Sequence, residues 1–272
     1  MAQARIGVSG WRYPRWRGDF YPPGLRQRDE LAHLASQLNS VEINGSFYSL
    51  QRPTTYAAWR DAVPADFVFA VKGGRFITHL KRLRDVETPL ANFFASGPLA
   101  LGATLGPMLW QLPEAVAFEP GPVGDFLAQL PRDTTAAAAL AARHDDKVPE
   151  GRALVVSETA QPVRHALEPR HRSFDSDEAR AVLREHDVAL VLADSAGRWP
   201  AIENGTSSFH YLRLHGEERL YGGGYRPATL ERWAGRLRGW LDQGQDVYVY
   251  FDNDADGRAP YDAVALRNLL AG

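Results

Sequence analysis

The chain has 272 residues, of which 44% are hydrophobic and 24% charged, with a formal net charge of −2. A chain of this length buries enough apolar surface to need no disulfide or structural metal, and the absence of cysteine excludes disulfide scaffolds, thiol catalysis and zinc–thiolate sites. The near-neutral charge does not support a broad nucleic-acid surface. In chain order, eight β-type runs occur: "ARIGVSG", "SVEIN", "FVFAVK", "PMLWQLP", "RHALEP", "VALVLAD", "FHYLRLHG" and "DVYVYFDND". Most are near-continuously apolar, as strands covered on both faces are. The opening "MAQARIGVSGWRY" lacks the basic-then-apolar order of a signal peptide. No apolar run approaches the roughly 20 residues of a membrane helix, so a cytoplasmic location without membrane contact is expected.

Helical periodicity separates most of these runs. "LRQRDELAHLASQL" sets Leu31, Leu34 and Leu38 on one face, and "PTTYAAWRDAV" does the same with Tyr56, Trp59 and Val63. "DSDEARAVLREHD" places Asp175 three residues before Glu178, a capping-box spacing, and predicts Ala179, Val182 and Leu183 on the buried face. "TLERWAGRLRGWLDQG" and "YDAVALRNLLAG" follow the last two runs. Strands alternating with helices predict an α/β fold: a closed, parallel eight-stranded (β/α)₈ barrel of the TIM type. A doubly wound open sheet is the alternative. Asp194 to Ser208 shows no helical period, so the sixth helix is expected to be short or missing. Residues 1–272 read as one domain, with an insertion at about 132–162 between strands four and five.

Barrel chemistry sits at the C-terminal ends of the strands, and most of the runs end in polar groups. Glu42 and Asn44 follow strand two, Lys72 strand three and Gln111 strand four. Glu168, Arg170 and His171 follow strand five, and Asp194 strand six. Arg213 and His215 close strand seven; Asp252, Asn253 and Asp254 follow strand eight. Burying so many charges at one end is costly unless they pair or meet a ligand.

Aromatics crowd the first two loops: Trp11, Tyr13, Trp16, Phe20 and Tyr21, then Phe47 and Tyr48. They read as a packed lid, a stacking platform for a sugar or base, or both. "KGGRFITHLKRLRD" carries Lys72 and His79 among arginines; it is either a solvated face or an anion cradle in which Gly73 and Gly74 expose backbone N–H groups. Glu42, Glu168, His171, Asp194, His215 and Asp252 are ligand types that suit a divalent metal. Asp194 and Asp252 are its candidate ligands, with Glu168 and His215. Arg170, Lys72 and Arg213 compete with that reading by neutralising the carboxylates.

Together, "GVSGWRYPRWRGDFYP", "VEINGSFYSL", "FVFAVKGGRFITH", "LWQLP", "ALEPRHRSF", "YLRLHG" and "YFDNDADGRAPYDAVAL" resemble the YecE-like family, catalogued as domain of unknown function 72. The resemblance runs from about Ile6 to Leu270. It implies a TIM-type barrel and little about the reaction. Carried over residue by residue, it marks Glu42, Asn44, Lys72, His79, Gln111, Glu168, Arg170, His171, Asp194, Arg213, His215, Asn253 and Asp254. Asp252 stands where the family more often has Asn, Pro169 where an apolar residue is usual, and Phe174 where Trp is common.

Two functions follow as expectations. The first is an enzyme, a hydrolase, isomerase or lyase, acting on a small anionic or polyhydroxylated substrate such as a sugar phosphate or nucleotide. Glu168, His171 and Glu42 would be its catalytic groups. Asn44, Lys72, His79, Gln111, Arg170, Arg213, His215, Asn253, Trp11 and Tyr48 would hold the substrate. The second is a non-catalytic binder of nucleic acid or a nucleotide.

Overall fold

The computed structural model describes residues 2–203 and 205–272. Nine strands form: β1 (Ala4–Val8), β2 (Ser40–Ile43), β3 (Val68–Lys72), β4 (Leu105–Gln111), β5 (His165–Glu168), β6 (Val188–Leu190), β7 (Leu192–Ser195), β8 (Phe209–Gly216) and β9 (Asp246–Phe251). They make two all-parallel sheets, one of four strands in the order β1-β9-β8-β7 and one of five in the order β2-β3-β4-β5-β6. The expected single closed sheet of eight strands is therefore corrected to two sheets within an α/β fold.

The reason lies at two joints. The sixth apolar run does not form one strand. It divides at Val191, whose N–H still reaches Leu167 O at 2.9 Å; β6 pairs with β5 and β7 with β8. At the other joint β1 approaches β2 without a ladder. The Asn39 side chain takes the place of strand pairing, accepting from Ile6 N (2.8 Å) and donating to Ala4 O (2.9 Å). Gly7 lies so close to β2 that a Cβ there would stand 2.2 Å from Ser40 O. One parallel bridge, Ser9 with Glu42, links the two strands beyond that point.

Helices α1 (Glu30–Gln37), α2 (Gly45–Tyr48), α3 (Pro53–Asp61), α4 (Glu87–Ala95), α5 (Pro120–Ala128), α6 (Thr134–Ala141), α7 (Asp177–Glu185), α8 (Pro227–Asp242) and α9 (Ala259–Ala271) fill most of the connections. A helix cap differs from the expected one. Ser176 accepts the N–H of Ala179 (3.2 Å) at the start of α7, while Asp175 pairs with Arg180. Asp133 caps α6 through Ala136 N (2.7 Å), the connection between β4 and β5 holding both α5 and α6. Among the described residues between β7 and β8 there is no helix, as the missing period predicted.

Period-two alternation sorts the strand residues. Phe69, Val71, Trp110 and Leu167 join the large core shared with the helices. Ala70, Leu109, Ala166 and Ala189 of one sheet meet Tyr211, Tyr248 and Tyr250 of the other in a smaller inner core. Among the described residues no helix is long and apolar enough to cross a membrane.

Candidate functional site

Parallel strands put all their C-terminal ends on one side. Two residues beyond five of the inner-core positions stands a polar one on the same strand face: Ala70 and Lys72, Leu109 and Gln111, Ala166 and Glu168, Tyr211 and Arg213, Tyr250 and Asp252. The inner core is thus capped by one polar layer.

Arg213 organises that layer. Its guanidinium is 1% exposed and donates to Glu42 twice (Nε–Oε2 3.1 Å, Nη2–Oε1 2.8 Å), to Glu168 Oε2 (2.9 Å), to Ser9 Oγ (2.9 Å) and to Asp252 Oδ2 (3.1 Å). Glu42 also accepts from Ser9 Oγ (2.6 Å) and Tyr211 Oη (2.7 Å), which saturates both of its oxygens. His215 bridges the other two carboxylates, Nε2 to Glu168 Oε1 (2.9 Å) and Nδ1 to Asp252 Oδ2 (3.0 Å). A neutral imidazole has one N–H, so both contacts are hydrogen bonds when the ring carries two protons.

Burial alone would raise the Glu168 carboxyl, but Arg213, His215 and Arg170 outweigh it and hold the group well below the usual carboxylate range. The same balance, burial against Arg213 and His215, lowers Asp252. Asp254 goes the other way: burial and the neighbouring Asp252 push it far up. Neither of its oxygens has a hydrogen-bond partner among the described residues, since the Tyr13 hydroxyl donates to Ser9 O (2.5 Å).

A cavity of about 760 Å³ opens above the layer. Lys72, Gln111, Arg170, Arg213 and Asp252 line its polar side; Trp11, Phe47, Tyr48 and Trp59 line its apolar side. Glu42 and Glu168 lie beneath it and are fully buried. Asp252 is the carboxylate that reaches the cavity, with Oδ2 held by Arg213 and His215. Arg170 stacks 3.5 Å over the Trp199 ring and donates to Tyr221 Oη (3.3 Å), while Glu168 stays 4.0 Å away. Lys72 Nζ rests 4.5 Å over the Phe47 ring and, among the described residues, has no carboxylate within 4.0 Å. Burial, then Arg213, lowers its pKa to about 8.

His79 also lines the cavity. It is carried on a π-helix (Phe76–Leu80), an insertion that often marks functional positions. Its ring packs edge-on against Phe47 (5.0 Å) and contacts Thr78 Oγ1 through Nδ1 (2.9 Å). Burial, Lys72 and Arg170 lower it to about 4. Asn44 lines the cavity with Oδ1 buried and unpartnered. Tyr48 stands at the rim, 72% exposed.

Several expected members stand elsewhere. His171 turns away after Pro169 and caps the turn Arg172–Phe174, its Nδ1 accepting from Ser173 N (3.2 Å). His215 holds the place beside Glu168 that was expected of His171. Asp194 faces a different groove, together with Glu217 and Arg226; burial raises its carboxyl. The expected metal set of Asp194, Asp252, Glu168 and His215 is thus split. Among the described residues no group of three or more His, Asp or Glu is arranged to hold a metal ion, and the centre of the carboxylate cluster is filled by the Arg213 guanidinium. Asn253 supports the loop after β8, donating to Gly223 O and Asp262 Oδ2 (2.8 Å each). Gly73 is not part of an anion cradle. Its N–H is bound to Leu109 O (2.8 Å), and a Cβ there would meet the Trp110 ring at 2.3 Å. Sequence reading missed Tyr211, Trp199 and Tyr221. Of these, Tyr211 carried a signal, standing two residues before Arg213 on one strand face.

The model of the family described as "Protein of unknown function DUF72" matches residues 5–272. The chain belongs to the DUF72 family. Over 131 residues it is 30% identical to the UPF0759 protein YecE of Escherichia coli K12, a match covering 44% of this chain and 45% of YecE. The corresponding protein of strain O157:H7 matches equally. The matched segment spans less than half the length of these curated relatives. A DUF72 family protein of Thermotoga maritima superposes with a TM-score of 0.77 at 23% identity, covering 99% of this chain and 100% of that one. One from Enterococcus faecalis superposes with 0.75 at 17%, covering 99% and 96%. At such identities the likeness establishes a shared DUF72 fold.

Proposed function

We propose that this DUF72 chain is an enzyme whose cavity takes a small anionic, polyhydroxylated substrate and works on it by acid–base chemistry. One observation carries the reading. Two cations, Arg170 and Lys72, line the cavity, and neither hydrogen-bonds a carboxylate among the described residues, while all three floor carboxylates are bound to Arg213. Arg170 keeps only a long 4.0 Å ion pair with Glu168 and Lys72 has none among the described residues, so both retain donors for an incoming anion. Trp199 fixes the Arg170 plane, which suits two-point binding of a phosphate or carboxylate.

The catalytic assignment follows accessibility. Glu42 and Glu168 lack a free path to a ligand, so they act as positioning residues for Arg213 and His215. Asp252 reaches the cavity, and Arg213 and His215 keep it ionised, which makes it the base. A nucleotide would add stacking on Tyr48 at the rim. Calorimetric titration with glycerol 3-phosphate tests the binding part: Arg170→Met is expected to weaken it about tenfold or more, the loss of a charge-assisted contact. Wild-type protein that takes up no phosphate ester would sink the reading.

A further inference from the structure

The chain uses arginine for nearly all of its positive charge: of 31 basic residues, 28 are Arg and three are Lys. Lys81 and Lys147 lie on or near the surface. The third, Lys72, is the last residue of β3, 8% exposed, and lines the cavity. Arginine already serves this site twice, at Arg170 and Arg213. A position that needed only positive charge would be met by a third. Lysine differs from arginine in one chemical respect that matters here: it can give up its proton and become a nucleophile.

The surroundings of Lys72 suit that use. Its Nζ lies against an aromatic face with no carboxylate within 4.0 Å among the described residues. Desolvation and a neighbouring cation are the two conditions that activate a lysine amine, and Arg213 lines the same cavity. The Phe47 ring favours the ammonium, but burial and Arg213 prevail, bringing the group to about 8. Roughly one molecule in ten then carries the neutral amine at pH 7. Asn44, with its unpartnered Oδ1, offers a hydrogen-bond acceptor in the same cavity.

Resting on the reading of this cavity as an enzyme site, we propose that Lys72 is a covalent catalyst that forms an imine with an aldehyde or ketone bearing an anionic group. The neutral amine attacks the carbonyl carbon, a C–N bond forms and the carbonyl π pair moves to oxygen. Proton transfer from nitrogen to oxygen gives a carbinolamine. Loss of that oxygen as water leaves the imine, so amine plus carbonyl gives imine plus one water. Arg170 holds the anionic group of the substrate, and the imine carbon draws electrons from the adjacent C–H or C–C bond.

The test is reductive trapping on the whole protein. Wild type is incubated with glyceraldehyde 3-phosphate or pyruvate in the presence of cyanoborohydride, and the lysines are mapped by peptide mass. Labelling of Lys72 at least about tenfold above Lys81 and Lys147 is expected, since only an activated amine reacts selectively. Equal labelling of the three, or none at Lys72, overturns the proposal. Glycerol 3-phosphate, which has no carbonyl, separates the two levels. If it binds and no adduct forms at Lys72, the imine is wrong and the anion site stands; if it does not bind and no adduct forms, both fail. Lys81→Arg and Lys147→Arg should keep both glycerol 3-phosphate binding and the adduct, and Lys72→Arg should lose the adduct. If that variant does not fold, the wild-type map alone decides.

Discussion

Arg213 holds Glu42 by two parallel hydrogen bonds, at 2.8 and 3.1 Å, with both side chains essentially out of solvent. The same guanidinium reaches Glu168 and Asp252. Removing one partner of such a group leaves uncompensated buried charge. Arg213→Met is therefore expected to cost about 3–5 kcal/mol, the range for breaking a buried pair. Urea unfolding at pH 7 measures it, and a loss below about 1 kcal/mol, the scale of a surface pair, would refute the buried-network account.

The acid limb of stability follows from Glu168 and Asp252. Both carboxyls are lower in the folded chain than in the unfolded one. The unfolded chain therefore takes up protons first as pH falls, so their contribution is complete above the ordinary carboxylate range near 4 and is lost below it. Glu168→Gln should be less stable than wild type at pH 7, with the gap narrowing as pH drops from about 4 to 3. Denaturant midpoints of the two proteins across that interval are the readout. A gap that widens with acid would contradict the assigned direction.

Lys72 has the opposite effect on stability. Its folded pKa is about 8, below the ordinary lysine value of 10.5, so between these values the unfolded chain binds the extra proton and stability rises with pH. Below pH 8 the buried ammonium costs about 3 kcal/mol. Lys72→Met should accordingly unfold at higher denaturant than wild type at pH 7, and the advantage should fade as pH approaches 10.5. A variant less stable than wild type at pH 7 would show that the charge is welcome where it stands. The expected gain in Lys72→Met would instead mean that the site keeps a residue that destabilises the fold, the pattern expected where function rather than stability selects it.

The polar layer was readable because its members stand where the apolar runs end, and Lys72, Gln111, Glu168, Arg213 and Asp252 each sit two residues past an inner-core position. That pattern placed these five, with Glu42 and His215, at one end without any knowledge of tertiary structure. His171 lay beyond its reach: Pro169 ends the strand, and past it the period no longer says where a side chain points. The division of "VALVLAD" at Val191 was equally hidden, because a uniformly apolar run carries no mark of where pairing changes partner. So was Asn39, a polar residue before a strand whose side chain replaces part of a ladder. Trp199 and Tyr221, which set Arg170, come from loops whose path follows no period.

Five hydrogen bonds from one guanidinium end on four residues, Ser9, Glu42, Glu168 and Asp252, drawn from four separate stretches of the chain. Changes at these positions cannot be independent, because each alters the company the others keep around Arg213. A substitution harmless in one background becomes damaging in another. The order in which this layer can evolve is thereby restricted: a carboxylate can depart only after, or together with, a compensating change in charge. Chains that explore new substrates have the rim of the cavity, at Tyr48, free to vary, while the floor moves as one unit or not at all.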